Sequence, residues 1–440
     1  MNPASSAVPT SMMQITADKP FLPVVLAFVE TIALASGLTK TEALKLTLAS
    51  EELFLHLCRV VIPAKGMIEI RCFGRDYSVQ IDFSFPMTPF NMEAFNLAVK
   101  PKPNKAIRFE DMRLLLASRS VNHFKIEQIQ NRLHLQLIKD KEYPIQKPVT
   151  SPQTNLSDRI FTIQTPYSHE IAVLSARIQA DFSNTPLPRF IRYPGRLTAM
   201  MRHGNCQALI ARGQADEIGG GIFLRRINEK TIEIFGPYVI NNDNPVPVVH
   251  ALTEAAISAA SRTTASVLIC SPPDGLDVSN YFEVLGSIHW HLSSGQINYH
   301  SVWFRHIKED LGRISWITPD IHDFLKQNYD RLALPREIRL ISDTGDNPSV
   351  SSVFSSDIHR FYDLVTLRLI WMGNDLDENL LQHLQMFQKE SIRHIVFEVD
   401  LGLSWQAHMI PVLLKNGFSP SILLPDAGKG DAVMFFRLQE

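Results

Sequence analysis

The sequence lacks the features that mark several broad classes of protein. It has no apolar run near the ~20 residues that a membrane-spanning helix requires, so we expect no membrane insertion. It has no basic excess, since 43 Lys and Arg residues stand against 45 Asp and Glu residues. A net charge of −2 argues against a dedicated nucleic-acid-binding protein, because such proteins usually carry a strong basic surplus.

Cysteine is also scarce, with four residues that lie far apart and form no CxxC pair. Cys58 and Cys72 fall in strongly patterned segments, where they are most simply buried thiols, and this usage favours a reducing compartment. The stretch Met1–Ala17 is rich in Ser and Pro and lacks the basic region and apolar core of a secretion signal. We therefore expect a cytoplasmic protein with a short disordered start.

The remaining composition is that of an ordinary globular protein, with 45% hydrophobic and 20% charged residues. A chain of 440 residues is long enough for two to four domains, at ~150 residues per domain. Charge, proline and serine concentrate in KDKEYPIQKPVTSPQTNLSD, which is the clearest boundary in the sequence. We predict an α/β protein with a tail (1–17), a first block (18–140), a linker (141–157), a second block (158–312) and a third block (313–440).

The first block is predicted to run helix, helix, hairpin, helix, hairpin. Its second helix, Thr39–Ile62, opens with the capping box Thr39-Lys-Thr-Glu42. Residues spaced four apart on this helix are expected to share one buried face, and they are Leu44, Leu48, Glu52 and His56. A carboxylate and an imidazole on such a face predict a partly buried pair between Glu52 and His56.

The segment LASEELFLHLCRVV resembles the N-box of the GHKL ATPases, and specifically that of the anti-sigma-factor serine kinases of bacterial partner-switching systems. In that family a Glu acts as general base, and an Asn one turn later ligates the Mg²⁺ held by the ATP phosphates. The resemblance implies that Glu52 is the base and that His56 stands at the metal-ligand position. It also implies that Asp82 accepts a hydrogen bond from the adenine amino group, with Ser84 where the family has a glycine.

The predicted ATP site departs from that family at three places. A neutral imidazole at His56 is a poor ligand for Mg²⁺, which prefers oxygen donors. Ser84 replaces one glycine, and Glu110 and Asp111 stand where glycines would open the helix under the phosphates. Their charges suit a helix N-terminus but would repel a triphosphate bound there. Three interpretations stay open: a pocket that has lost nucleotide binding and holds a Glu52–His56 pair, nucleotide binding without efficient turnover, and an active kinase.

The second and third blocks repeat one order of elements: strand, loop, helix, apolar strand, helix and Gly turn. Asn242-Asp243 follows the fourth strand of the second block, and Asn374-Asp375 follows its counterpart in the third. The Leu285-Gly286 and Asn416-Gly417 pairs are separated by nearly the same number of positions. A near-constant offset of this kind indicates a duplicated architecture.

Both blocks resemble the GNAT acyltransferase fold, in which a mixed sheet splays open to admit acetyl-CoA. The phrases YFEVLGSI and LLKNGFSP resemble the Gly-Phe turn near the GNAT C-terminus. The resemblance implies that backbone N–H groups in the loop after the fourth strand hold the cofactor's pyrophosphate. The positions that it assigns to this loop are Asn242, Asp243, Gly373 and Asn374.

Both loops differ from the GNAT pattern. The loop of the second block, INNDNPVPVVH, has no glycine, and its Pro245 and Pro247 have no N–H to donate. The loop of the third block, WMGNDLDENLL, has one glycine, but it also carries acidic residues that would repel pyrophosphate, namely Asp375, Asp377 and Glu378. We therefore expect acetyl-CoA to bind neither loop well.

GNAT enzymes often use a Glu or a water as base and a Tyr to protonate the leaving thiolate. The residues that the resemblance offers for these roles are Tyr238 and Glu283, with Glu233, Glu398 and Asp400 as further carboxylates on strands. Carboxylates on strands are more often solvated or ion-paired than catalytic, so these assignments are hypotheses.

Histidines in the second block raise the question of a zinc site. His289 and His291 fall on one face of a predicted strand, and His300 follows on the next. No cysteine or fourth ligand is close in the sequence, so we expect surface or interface histidines and no metal site.

Taken together, the three blocks resemble bacterial fusions of an anti-sigma-kinase-like ATPase module with one complete and one partial GNAT-like module. The resemblance implies a cytoplasmic regulatory protein that acts mainly by binding a protein of the anti-anti-sigma type or a ligand. The cofactors that it implies are ATP with Mg²⁺, and acetyl-CoA. The alternative is an acyl-CoA-dependent N-acyltransferase with an ATP-binding regulatory domain.

Overall fold

The structure is a computed structural model that describes residues 11–60, 66–86, 92–98, 112–129, 132–145, 161–182, 187–214, 216–240, 244–273, 275–291, 297–342, 349–359 and 363–437. Four residues singled out by the sequence lie outside these ranges, and they are Glu110, Asp111, Asn242 and Asp243.

The helices are α1 (Leu22–Ala35), α2 (Lys40–Val60), α3 (Arg113–Ser120), α4 (Ser168–Asp181), α5 (Pro194–Arg202), α6 (Val246–Ser261), α7 (His322–Arg331), α8 (Leu376–Lys389) and α9 (Met409–Lys415). The tail contributes β1 (Ser11–Thr16), and the strands of the first block are β2 (Met67–Arg75), β3 (Ser78–Pro86), β4 (His123–Ile129) and β5 (Arg132–Asp140).

The strands of the second block are β6 (Phe161–Gln164), β7 (Cys206–Gly213), β8 (Ile218–Arg226), β9 (Thr231–Val239), β10 (Val267–Ser271), β11 (Glu283–His291) and β12 (Ile297–His306). Those of the third block are β13 (Arg313–Ile317), β14 (Arg336–Leu340), β15 (Val353–His359), β16 (Leu364–Trp371), β17 (His394–Asp400), β18 (Phe418–Leu424) and β19 (Ala432–Arg437). This mixed arrangement confirms the predicted α/β class.

The predicted capping box at the start of α2 is confirmed. The Thr39 N–H donates to the Glu42 carboxylate at 2.6 Å, and the Glu42 N–H donates to the Thr39 hydroxyl at 3.3 Å. The predicted buried face is wrong, however, since Leu44 and Leu48 are 56% and 46% exposed. Four residues of an α-helix turn through about 400°, so a spacing of four drifts by about 40° at each step. The buried residues of α2 instead recur at intervals that alternate between three and four positions.

The first and third blocks share one ten-stranded sheet, in the order β1-β2-β3-β5-β4-β15-β16-β17-β19-β18. The two blocks meet where β15 pairs antiparallel with β4 through three residue pairs, and we call this junction the seam. One hydrophobic core runs across it, because Phe124 on β4 and Phe354 on β15 belong to the same buried cluster. The seam therefore joins segments that are more than two hundred residues apart.

The helices of these two blocks cover one face of the sheet. Residues of α2 and α8 pack in a common core with Ile81, Leu367 and Phe397, which alternate along their strands with polar residues. The residues between them point to the opposite side, which we call the polar face: Glu69, Asp82, Lys125, His134, Asp357, Arg368 and Glu398. Their side chains keep from 7% exposure at Asp82 to 35% at Arg368. A row of charged groups thus crosses the seam without interruption.

The second block forms a separate seven-stranded sheet in the order β11-β12-β10-β9-β8-β7-β6. In both sheets a parallel pair (β9 with β10, β16 with β17) is followed by two antiparallel strands in the same spatial order. The repeated order confirms the duplicated architecture. Within the described strands, the second and third blocks do not share a sheet.

Two predictions of the sequence fail around the Gly turns. The segment before Gly286 was expected to be a helix, but residues 275–282 form turns and loop, and Gly286 lies within β11. A side chain at Gly286 would come within 2.8 Å of the Ser421 carbonyl oxygen, so glycine here allows β18 to approach β11. Gly417, by contrast, follows α9 with φ +77°, as expected for a helix-ending glycine.

A small parallel sheet of β13 and β14 bridges the second and third blocks. The side chain of Arg336, the first residue of β14, is fully buried and pairs with Asp431 at 2.6 Å and Asp310 at 2.7 Å. Burial lowers the pKa of this guanidinium, but hydrogen bonds and charge from Asp431 and Asp310 outweigh burial and raise it. Arg336 therefore stays charged and ties the bridge to the third block.

The N-terminal tail was predicted to be disordered, and this is wrong for Ser11–Thr16, which form β1 at the edge of the ten-stranded sheet. Among the residues that the structure describes, every helix is too short or too polar to cross a membrane. All four cysteines are free thiols, and burial raises the pKa of Cys72 to about 12.

Candidate functional site

The predicted general base Glu52 is ion-paired with Arg113. The Arg113 guanidinium on α3 donates to the Glu52 carboxylate at 2.6 Å, and the two side chains keep 16% and 24% exposure. The structure thus gives Glu52 a partner on α3 that the sequence did not predict. Arg113 is the first residue of α3, which packs against α2.

His56 lies inside the core of the first block. Its side chain is buried, and its ring meets the Phe95 ring edge-on, with centroids 6.0 Å apart and planes at 75°. Apolar surroundings disfavour the water-rich shell that Mg²⁺ retains in proteins. The structure thus gives His56 the position of a packed core residue.

The residues predicted to contact adenine and phosphate make internal hydrogen bonds on the polar face. The Asp82 carboxylate is 2.9 Å from His134 Nδ1, and the Ser84 hydroxyl accepts from the Arg132 guanidinium at 3.0 Å. Ile81 and Phe83, their neighbours on β3, face the helices. The sheet therefore lies between Glu52 on α2 and Asp82, and the structure does not bring these two carboxylates together.

In the third block the parallel strands separate as the resemblance predicts, but the gap is filled. Pairing between β16 and β17 ends at Arg368 and Glu398. Beyond this point the Gln406 side chain donates to the Leu369 carbonyl oxygen at 2.9 Å and accepts from the Asp400 N–H at 2.9 Å. Gln406 is 8% exposed, so a side-chain amide occupies the space that a cofactor would need.

The loop after β16 is also occupied by another segment of the protein. Gly373 forms an isolated bridge with Ser349, and a side chain at Gly373 would come within 2.2 Å of the Ser352 nitrogen. The Asn374 N–H donates to the Ser349 carbonyl at 2.9 Å, and the Asp375 carboxylate accepts from the Ser352 N–H at 2.5 Å. The segment at 349–352 therefore lies where the pyrophosphate was expected.

The carboxylates around this loop also have partners. Asp377 accepts from Lys415 at 2.5 Å and from the Asn416 amide at 2.7 Å, and these hydrogen bonds lower its pKa. Glu398 pairs with Arg368 at 2.7 Å. Asp400 accepts from three backbone N–H groups, those of Gly402, Lys429 and Gly430. These groups stabilise the fold of the third block.

In the second block the equivalent strands also separate after five residue pairs. Pairing of β9 with β10 ends at Phe235 and Ser271, and β9 then bulges at Gly236, which has φ +99° and precedes a cis-Pro237. Helix α6 begins immediately after Pro245. The loop positions Asn242 and Asp243 lie outside the described residues, so their roles stay predictions.

The catalytic candidates of the second block do not converge on this opening. The Tyr238 ring is 2% exposed and packs against Phe182, with centroids 5.3 Å apart. Glu233 pairs with Arg225 at 2.5 Å, and Glu283 is exposed on the edge strand β11. Each of the three residues thus has a different environment.

A polar cluster that sequence reasoning missed lies on α6 and the loop after β10. The Tyr281 hydroxyl is 2.9 Å from His250 Nδ1 and donates to the Glu254 carboxylate at 2.8 Å. Burial, then the hydrogen bond and charge of Glu254, raise the pKa of Tyr281, so its proton stays in place at neutral pH. His250 and Glu254 stand four apart on α6, a spacing that could have revealed them.

The three histidines of the second block fall on neighbouring strands, His289 and His291 on β11 and His300 on β12. Cross-strand partners share a face of the sheet, and His289 stands opposite Tyr299, whereas His300 stands opposite Ile288. Because the side chains of His289 and His291 are outside the described part of the structure, the expectation that these histidines form no metal site stays a prediction.

Comparisons with known proteins give fold likenesses alone. No protein-family model and no curated protein matches the chain. Among solved structures, a GNAT-family acetyltransferase from Staphylococcus aureus Mu50 is 16% identical, with a TM-score of 0.26, over 34% of this chain and 100% of that one. Ard1 from Thermoplasma volcanium is 12% identical, with a TM-score of 0.27, over 34% and 99%.

A third solved structure is a GNAT-superfamily phosphinothricin acetyltransferase from Sinorhizobium meliloti in complex with AcCoA. It is 11% identical, with a TM-score of 0.27, over 33% of this chain and 88% of that one. Likeness at this level of identity and TM-score does not establish the family or the activity of this chain.

Proposed function

We propose that this chain is a cytoplasmic regulatory protein that acts by binding a partner, with its first and third blocks serving as one rigid scaffold. The observation that carries the proposal is Gln406, which bridges Leu369 and Asp400 across the gap between β16 and β17. A ligand would have to replace two buried hydrogen bonds before it entered. Leaving such groups unpaired costs ~1–3 kcal/mol each, which works against a cofactor site.

The first block supports the same proposal. A nucleotide site needs groups that are ready to accept ligand bonds, yet Glu52, Asp82 and Ser84 already pair with Arg113, His134 and Arg132. The sheet separates the first of these groups from the other two. The partner that we propose is a protein of the anti-anti-sigma type, from the resemblance of the α2 segment.

Calorimetry tests the absence of an ATP site. We expect Mg-ATP at neutral pH to give no saturable heat in the low-micromolar range. A clear isotherm that is abolished by Asp82→Asn, but kept by Asp363→Asn at an exposed carboxylate, would overturn the proposal.

The partner class has its own test. Purified anti-anti-sigma-type domains are mixed with the full chain and separated by size-exclusion chromatography. Co-elution at a fixed ratio supports the proposal, and separate elution of every such domain overturns the partner class.

A second candidate function is acyl-CoA-dependent N-acyl transfer in the second block. It is favoured by the separation of β9 from β10 and by the Tyr281 cluster, which has a phenol that can donate a proton. In this function Tyr281 would protonate the leaving thiolate, while His250 and Glu254 orient the hydroxyl.

A thermal shift with millimolar acetyl-CoA separates the two functions, because a ligand that binds only the native state raises the melting temperature. The regulatory proposal expects no shift. A shift of several degrees, with thiol release that falls at least tenfold in Tyr281→Phe and is unchanged in Tyr299→Phe, would favour acyl transfer. Tyr299 is 60% exposed in the same block and serves as the matched control.

A further inference from the structure

Two histidines, His123 and His359, lie beside Asp357 on the polar face, at the seam itself. His123 is on β4, directly opposite His359 on β15, and Asp357 is two residues before His359 on the same side of that strand. Side chains opposite each other on neighbouring strands have Cβ atoms about 4.5–5.5 Å apart. The topology of the ten-stranded sheet thus brings two imidazoles and one carboxylate from distant parts of the chain to one point.

The donor atoms of this cluster converge. Asp357 Oδ1 is hydrogen-bonded to His123 Nε2 and lies 3.2 Å from His359 Nε2. The centroids of the two imidazole rings are 4.2 Å apart with planes at 30°, and both Nε2 atoms lie beside Asp357 Oδ1. One ligand atom from each of the three residues lies within 4.8 Å of the others.

These separations suit a metal ion. At bond lengths of about 2.0–2.1 Å, two ligand atoms of a tetrahedral site lie roughly 3.3–3.4 Å apart. The distance from His359 Nε2 to Asp357 Oδ1 already has this size, so small shifts of the three side chains would admit an ion.

The donor set also restricts which metal fits. Two imidazoles and one carboxylate are poor for Mg²⁺ and Ca²⁺, which take oxygen ligands. They suit Zn²⁺, or Fe²⁺ in a facial arrangement with open positions. The side chains of His123, Asp357 and His359 keep 24%, 14% and 37% exposure, so solvent can reach the point where they meet.

We infer that His123, Asp357 and His359 bind one divalent first-row transition-metal ion, with Zn²⁺ as the best fit, and leave at least one coordination position open to water or a ligand. The ion links β4 to β15 through its ligands. These two strands are otherwise joined at the seam by only three backbone residue pairs within the described strands. The site is independent of the regulatory proposal and of the acyl-transfer alternative, because no residue of either takes part in it.

The test uses full-length, untagged, metal-free protein. Zn²⁺ is titrated in competition with a chromophoric chelator, and one tight equivalent is expected. Asp357→Asn and His359→Gln should each weaken that equivalent by ~100-fold or more, since losing a ligand exceeds the 10–100-fold effect of losing an outer partner. His322→Gln should change nothing, because His322 is an exposed histidine beside Asp323 on α7.

Two further measurements keep the result interpretable. Melting curves of the metal-free variants show whether each one folds, and Zn²⁺ should raise the melting temperature of the native chain but not of Asp357→Asn. Co²⁺ in place of Zn²⁺ should give a visible absorption spectrum that His359→Gln removes.

Two outcomes would overturn the inference. If the native chain shows no tight equivalent, the three residues form only a hydrogen-bonded His–Asp–His group. If both folded variants keep the equivalent, the ion binds elsewhere. A preference for Fe²⁺ over Zn²⁺ in anaerobic competition would leave the site in place and change the identity of the metal.

Discussion

Phe124 and Ile358 lie directly opposite each other across the seam between β4 and β15, and both are buried at 1% exposure or less. They link the core of the first block with that of the third. Because the same apolar cluster includes residues of α2 and α8, the two blocks are packed as one body.

We expect Phe124→Ala to destabilise the protein by ~3–5 kcal/mol, the usual cost of removing a buried phenyl ring. Ile129→Ala is the matched control, since Ile129 is 45% exposed on the same strand and should change stability by less than ~0.5 kcal/mol. Urea denaturation measures both. Hydrogen exchange should show β4 and β15 losing protection together in Phe124→Ala, and unchanged protection of β15 would contradict a shared core.

The Gln406 bridge gives a second prediction. Gln406→Ala leaves the Leu369 carbonyl and the Asp400 N–H without their side-chain partner, so we expect a loss of ~2–3 kcal/mol. Gln388→Ala, on the exposed side of α8, should be nearly neutral. A loss below ~0.5 kcal/mol would mean that water replaces the amide readily and that the gap is open to ligands.

The Glu52–Arg113 pair gives a third prediction, tested by a double-mutant cycle with Glu52→Ala and Arg113→Ala. Because both side chains remain partly exposed, we expect a coupling free energy of ~0.5–1 kcal/mol. The same cycle with His56→Ala in place of Arg113→Ala should give a smaller coupling. A larger coupling free energy with His56 than with Arg113 would show that Glu52 pairs mainly with His56, as the sequence predicted.

The buried histidine of α8 gives a pH-dependent prediction. Burial lowers the pKa of His383 to about 4 from an ordinary value of 6.5, although the hydrogen bond to the Asn379 carbonyl opposes the shift. The unfolded chain therefore binds the proton more readily, and stability falls as the pH drops from about 6.5 toward 4. We expect His383 to account for ~2 kcal/mol of the stability lost between pH 7 and pH 5.

His383→Gln removes this titration while keeping polar atoms in the side chain. Urea denaturation at pH 7 and pH 5 should show a smaller difference in the variant than in the native chain. Asp426, whose pKa is about 2 because of His306 and Arg313, loses its contribution only at a more acidic pH and does not affect this window. An equal difference in both proteins would show that His383 is protonated in the folded state.

Much of the local structure follows from the sequence. The first hairpin of the first block, the capping box at Thr39 and the helix after the Asn374-Asp375 loop were all predicted, because each depends on residues close together in the chain. The repeated order of the second and third blocks was also visible, since it needs only a comparison of the chain with itself.

The tertiary structure decided what depends on neighbours that are distant in the sequence. A spacing of four along α2 could not fix which residues face α3, so the partner of Glu52 was missed. The segment before Gly286 has the composition of a helix, but β11 forms there because β12 offers a strand to pair with. Asp82 and Ser84 lie on β3, and their partners His134 and Arg132 became evident only from the register of β3 with β5.

The residues at the seam show most clearly the difference between what local sequence and what tertiary contacts determine. Asp357-Ile-His359 is a local pattern that places a carboxylate and an imidazole on one face of a strand. His123 joins them only because β15 pairs with β4, a contact between strands that the chain separates by more than two hundred residues. Local periodicity determined which way these side chains point, and the pairing of distant strands determined what they meet.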